Sequence, residues 1–116
     1  MLKRLERIIL YVSDLEKSTA FYRDVLQLPV RVESAMRSEL EVGGLILVLE
    51  PQFEDQEIDR NKRSGIVLGF QVHNMDFFYN LLKSKGVVFT EEPMEGEMER
   101  RAEFVDPDGY VFAMMG

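Results

Sequence analysis

The chain has 116 residues, of which 46% are apolar, enough to bury the core of one ordinary globular domain. It has no cysteine, which excludes disulfides, thiolate nucleophiles and cysteine-ligated metals. Fourteen Lys and Arg against 21 Asp and Glu leave a net charge of −7, which disfavours nucleic acid as a partner and either draws cationic molecules or serves solubility alone.

Met1–Glu6 lacks the long apolar stretch of an export signal, so it is taken as the lead-in to a strand. No apolar run approaches the roughly 18 residues that cross a membrane, and with cysteine absent a cytoplasmic location is expected. Leu5–Val12 is predicted as the first strand. Ser13-Asp14-Leu15-Glu16 is a capping-box pattern with Ser13 or Asp14 as N-cap. Leu15, Ser18, Thr19, Tyr22, Val25 and Leu26 then recur at helical spacing until Pro29 stops the helix. Val30–Ser34, Arg37–Val42 and Leu45–Glu50 are predicted as three strands, the last two joined by a tight turn at Gly43-Gly44. Pro51–Arg63 is charged, with Phe53 and Ile58 as its apolar residues, and reads as an exposed linker.

The second half repeats this punctuation. Ile66–Val72 is a strand, Asn74 an N-cap, and Met75, Phe78, Tyr79 and Leu82 form the buried stripe of a helix. Lys83 and Lys85 fall in its last turn before Gly86, where cations suit the helix dipole. Val87–Thr90, Arg101–Val105 and Tyr110–Met115 complete the strands, with a turn at Asp106-Pro107-Asp108-Gly109. The acidic run Glu91–Glu99 reads as a solvated loop or as a rim that attracts cationic ligands. Val12 aligns with Val72 and Gly44 with Gly109, so the chain is two βαβββ repeats, one over residues 1–50 and one over 64–116, joined by 51–63 in a single α+β domain.

That order, with YVSDLEKSTAFYRDVLQL early and EFVDPDGYVFAMM at the end, resembles the vicinal oxygen chelate superfamily, the glyoxalase, bleomycin-resistance and extradiol-dioxygenase group. The resemblance implies cup-shaped mixed sheets with helices on the outer face, a ligand or metal held in the cup, and a homodimer. Strand alternation sorts the two faces. Ile8, Leu10 and Val12, with Ile66, Leu68, Phe70 and Val72, suit packing under a helix. The ligand-binding candidates are then Arg7, Ile9, Tyr11, Val48, Glu50, Val67, Gln71, Ala113 and Met115.

Metal-dependent members of the group place His or Glu five residues before the valine that ends each first strand. They place Glu or a similar ligand four residues after the glycine that opens each closing strand. Those positions here are Arg7, Val67, Val48 and Ala113, none of which coordinates a divalent cation. The single histidine, His73, falls at a strand-to-helix turn. No metal and no other cofactor is therefore expected, and no catalytic residue is assigned. Arg7 has two readings: it holds a carboxylate or phosphate of a ligand, or it pairs with Glu50 across the cup. The expected function is metal-free binding of a small-molecule ligand in the cup, without nucleic acid or membrane partners. The alternatives are a lyase, isomerase or dioxygenase-related enzyme working without the usual metal ligands, and an interaction module with a vestigial cup.

Overall fold

A computed structural model describes residues 1–54, 58 and 65–116, in two compact units, Met1–Glu57 and Ile58–Gly116. In the first unit β1 (Arg7–Val12) leads to α1 (Leu15–Ala20), followed by β2 (Val30–Glu33), β3 (Ser38–Val42) and β4 (Leu45–Pro51). The sheet order is β1-β4-β3-β2; β4 lies parallel to β1 and the remaining pairs are antiparallel. In the second unit β5 (Leu68–Gln71), α2 (Met75–Ser84), β6 (Val88–Glu95), β7 (Arg100–Val105) and β8 (Val111–Met115) build the order β5-β8-β7-β6, again with one parallel pair, β5 with β8. The fold is thus α+β, two βαβββ repeats each with a four-stranded mixed sheet.

Local chemistry starts each helix. Asp14 is the N-cap of α1, its Oδ1 accepting from the Lys17 backbone N at 3.1 Å. Of the two N-cap candidates the structure selects Asp14, and the residue three positions on is Lys17, which has no carboxylate to answer the cap. Asn74 caps α2 by accepting from the Phe77 N at 3.2 Å. The single regular helix predicted up to Leu26 is instead six α-helical residues and a wide π-helical turn, Phe21–Val25, closed by a bond from Leu26 N to Phe21 O at 3.0 Å. Gln27, at a left-handed φ of 58°, ends it before Pro29 is reached.

Each sheet buries the face that meets its helix. In the first unit Leu10, Val12, Leu40, Leu47 and Leu49 are buried with Tyr22 of the π-helical turn. In the second unit the same face is aromatic: Phe70, Phe112 and Phe104 stack at 5.5 Å steps, Phe89 follows at 5.7 Å, and Tyr79 of α2 meets Phe89 edge-on at 4.6 Å. Each such pair adds about 0.5–1.5 kcal/mol to what burial alone contributes. The predicted stripe of α2 is corrected at Phe78, which is 38% exposed and packs against Phe77. Met75, Tyr79 and Leu82 follow the i, i+4, i+7 line that meets the sheet, whereas Phe78 sits beside that line.

Three other segments depart from expectation. Ile66 is 71% exposed, and β5 begins only at Leu68. The acidic run is not all loop, because β6 continues to Glu95. There the antiparallel ladder sets Met94 opposite Arg101 and Glu95 opposite Arg100, whose Nε lies 3.3 Å from the Glu95 carboxylate. Opposed charges across a ladder make a strand of residues whose composition suggests a loop. Of the expected linker, Pro51 belongs to β4 and Gln52 still donates to the Val12 carbonyl at 2.9 Å. Residues 55–57 and 59–64 lie outside the described residues. Among those described, no helix is long and apolar enough to cross a membrane.

The turn between β7 and β8 is held by Asp106, 4% exposed, whose Oδ1 accepts from the backbone N of Asp108 at 2.9 Å and of Tyr110 at 2.8 Å. Gly109, at φ 92°, donates to the Asp106 carbonyl at 3.0 Å. Asp106→Ala leaves those donors unmet and is expected to cost about 1–3 kcal/mol in urea unfolding, with Asp106→Asn costing much less. An alanine variant as stable as the parent refutes this account of the turn.

Candidate functional site

The parallel register of β1 and β4 sets Arg7 beside Ile46, Ile9 beside Val48 and Tyr11 beside Glu50. The antiparallel register of β3 brings Glu41 next to Ile46 and Glu39 next to Val48. Register partners share a face. The helix lies on the other face, since Thr19 of α1 hydrogen-bonds Ser38 of β3. All five first-unit candidates, Arg7, Ile9, Tyr11, Val48 and Glu50, therefore stand on one surface, the inner face.

Its polar groups are tied together. Arg37 donates from Nη1 to the Glu50 carboxylate at 2.9 Å and from Nε to Glu39 at 2.7 Å. Arg31 approaches Glu39 at 3.5 Å, and the Glu39 side chain is only 12% exposed. The Arg7–Glu50 pair does not form. Four residues of extended strand separate Ile46, the neighbour of Arg7, from Glu50, about 13 Å along the ladder. Arg7 pairs loosely with Glu6 instead, at 3.7 Å. Beside Glu50, the Tyr11 ring lies 6.0 Å from Phe53, a residue expected only as part of the linker.

The second unit repeats the plan with different side chains. Gly69 lies beside Ala113 and Gln71 beside Met115; β7 adds Glu103 next to Ala113 and Arg101 next to Met115; β6 adds Glu91 opposite Glu103. Val67 precedes β5 and is partly exposed. Arg101 donates to Glu103, whose side chain is 3% exposed. That hydrogen bond, with the charges of Glu103, Glu91 and Glu99, holds the guanidinium above its ordinary pKa against the desolvation that lowers it. Met115 folds across Gly69, with its methyl carbon 3.0 Å and its sulfur 3.4 Å from where a Cβ on that glycine would stand.

Arg37, Glu39, Arg101 and Glu103 are paired inner-face residues absent from the sequence expectation. A signal for them exists: Arg37-Ser38-Glu39-Leu40 and Arg101-Ala102-Glu103-Phe104 are the same Arg-small-Glu-apolar pattern at equivalent strands, with Arg and Glu two apart and so on one face. The four positions at which the resemblance implies metal ligands carry Arg7, Val48, Val67 and Ala113, which supply no donor lone pair to a cation. Val48 and Ala113 are fully buried. The carboxylates next to them, Glu39 and Glu103, are each engaged by an arginine. This residue set does not fit the implied metal. His73 is exposed at the turn between β5 and α2.

Residues 4–114 match the family described as the Glyoxalase/Bleomycin resistance protein/Dioxygenase superfamily. Among sequence relatives, the metallothiol transferase FosB of Staphylococcus haemolyticus is 32% identical over 115 residues, covering 95% of this chain and 81% of that protein. FosB of Staphylococcus saprophyticus is 29% identical over 119 residues, covering 98% and 77%. Among solved structures, a glyoxalase/dioxygenase from Nostoc punctiforme has a TM-score of 0.82 at 20% identity over 97% of this chain and 90% of its own. The fosfomycin resistance protein FosX from Listeria monocytogenes has a TM-score of 0.79 at 24% identity, covering 99% and 93%; at these identities the two structures share the fold.

Arg37 and Arg31 separate a structural ion pair from a surface one. Arg37→Ala removes hydrogen bonds from two carboxylates and is expected to cost about 1.5–3 kcal/mol, the scale of bonds to charged groups. Arg31→Ala, at an exposed and longer contact, is expected to cost under about 1 kcal/mol. Denaturant titrations of both variants in one buffer check the ranking, and equal losses overturn it.

Proposed function

The chain belongs to the Glyoxalase/Bleomycin resistance protein/Dioxygenase superfamily, and we propose that it binds a small organic molecule on the inner faces of its sheets without a bound metal ion. One observation carries the reading: Arg7, Val48, Val67 and Ala113 stand where ligands are implied, while a catalytic metal needs about three nitrogen or oxygen donors and an open position. Arginine–carboxylate pairs in each sheet support the reading, since they already engage the neighbouring carboxylates. Arg7, 37% exposed and only loosely held by Glu6, is the cation best able to turn towards a ligand. Its guanidinium matches a carboxylate, phosphate or phosphonate in a two-point contact. Tyr11 and Phe53 offer ring surface next to Glu50. Such a face suits a small ligand that carries an anionic group and a hydrogen-bond donor.

A homodimer in the cytoplasm completes this reading, a second copy covering exposed apolar side chains such as Ile9, Val30 and Val32. A second functional reading, metal-dependent transfer of a thiol, is favoured by relatives named metallothiol transferase that align over at least 93% of the chain at 29–32% identity. That reading requires the protein to recruit a metal through residues other than the four above.

Elemental analysis separates the two. The expected result is far less than one transition metal per chain after purification without chelator. About one zinc, manganese, nickel or iron per chain overturns the proposal. In thermal-shift assays against small carboxylates, phosphonates and zwitterions, a bound compound raises the Tm, and Arg7→Ala weakens that binding by about 1.5–3 kcal/mol.

A further inference from the structure

A cavity on the opposite side of the first sheet takes no part in the inner face. It lies between α1 and the β2–β3 hairpin, has a volume of about 450 Å³, and is lined by Leu15, Glu16, Thr19, Arg23, Glu33 and Ser38, with small residues between them. That volume falls within the range of small-molecule sites. Ser38 and Glu39 are consecutive on β3 and point to opposite faces, so the sheet itself separates this cavity from the ion pairs.

Its chemistry is specific. At the floor, Thr19 Oγ1 and Ser38 Oγ are 2.7 Å apart, and the two residues are 3% and 1% exposed. One hydroxyl donates to the other, leaving one O–H and the remaining lone pairs for a third partner. At the rim, Arg23 is already engaged: Nε and Nη2 donate to the two oxygens of Asp24 and Nη1 to Glu33, all at 2.8 Å. Glu16 adds a carboxylate with no ion pair among the described residues. Of the charged residues lining the cavity, Glu16 and Glu33 outnumber the single guanidinium. Leu15 supplies an apolar wall. The π-helical turn sends Tyr22 into the core and leaves Arg23 on the rim, and turns of this kind occur frequently at functional sites.

We propose that this cavity is a second binding site, independent of the inner face, for a small organic cation that carries hydroxyl groups. The carboxylates of Glu16 and Glu33 take the ammonium, and the Thr19–Ser38 pair takes a hydroxyl as both donor and acceptor. Amide-resolved NMR titration with glucosamine, and with glucose as its uncharged counterpart, tests this. Glucosamine should shift the amides of Thr19, Arg23, Glu33 and Ser38 and bind at least about five-fold more tightly than glucose, the scale of a solvated ion pair. Glu16→Gln, at an exposed side chain outside the ion pairs of the described residues, should reduce that preference, and Ser38→Ala should weaken both sugars. Absence of shifts at these four residues, equal binding of the two sugars, or an unchanged preference in Glu16→Gln overturns the proposal. Shifts confined to Tyr11 and Glu50 also overturn it while leaving the inner-face reading intact.

Discussion

The parallel pairing of β1 with β4, and of β5 with β8, ties the start of each unit to its end, and the same hydrogen bonds decide which side chains meet. In the first unit the pairing puts Leu10 beside Leu49 and Ile8 beside Leu47, which face α1. A slip of one residue would turn Leu47 and Leu49 away from the helix and bring Val48 and Glu50 beneath it. Burying a leucine contributes about 1.5–3 kcal/mol, so a slip that exposes two of them and buries a carboxylate is strongly opposed. The helix side thus sets the register, and the polar inner face inherits its arrangement.

That inheritance shapes the chemistry. The side chains of Glu39 and Glu103 are largely withdrawn from solvent, and an arginine two residues earlier in the chain reaches each of them. Charged networks of this kind specify an arrangement more than they stabilise it. A ligand arriving at such a face exchanges existing hydrogen bonds for new ones, so selectivity comes from how well it replaces them. Charge alone therefore says little about what binds: the net value of −7 coexists with an inner face on which arginines and glutamates nearly balance in the first unit.

Features made by neighbours in the chain were legible. Asn74 before its helix, Gly43-Gly44 between two strands and the Asp106 turn each satisfy backbone groups a few residues away, and strand alternation assigned Arg7, Tyr11 and Glu50 to one face. Features made across the sheet were less so. Alternation gives a face but no position along it, which is why Arg7 and Glu50 share a surface without touching. The extension of β6 through Glu91 and Glu95 depends on Arg100 and Arg101 across the ladder, whereas composition alone makes that run a loop. The π-helical turn has the apolar spacing of a regular helix and differs only in its hydrogen bonds. Arg37, Glu39, Arg101 and Glu103 were readable as a repeat but lie one strand away from the positions where metal ligands are implied.

The contact of Met115 with Gly69 bears on how the sequence can drift. Any side chain at position 69 meets the Met115 methyl at a distance real Cβ atoms rarely show, yet the obstacle is the tip of a flexible chain and not backbone. A shorter residue at 115 vacates the space that alanine or serine at 69 would fill, so substitutions harmful singly become tolerable together. The two positions are register neighbours of the Gly69–Ala113 and Gln71–Met115 pairs. Relatives that carry a side chain at 69 should therefore carry something smaller than methionine at 115, and the floor of the inner face can be recontoured without altering its ion pairs.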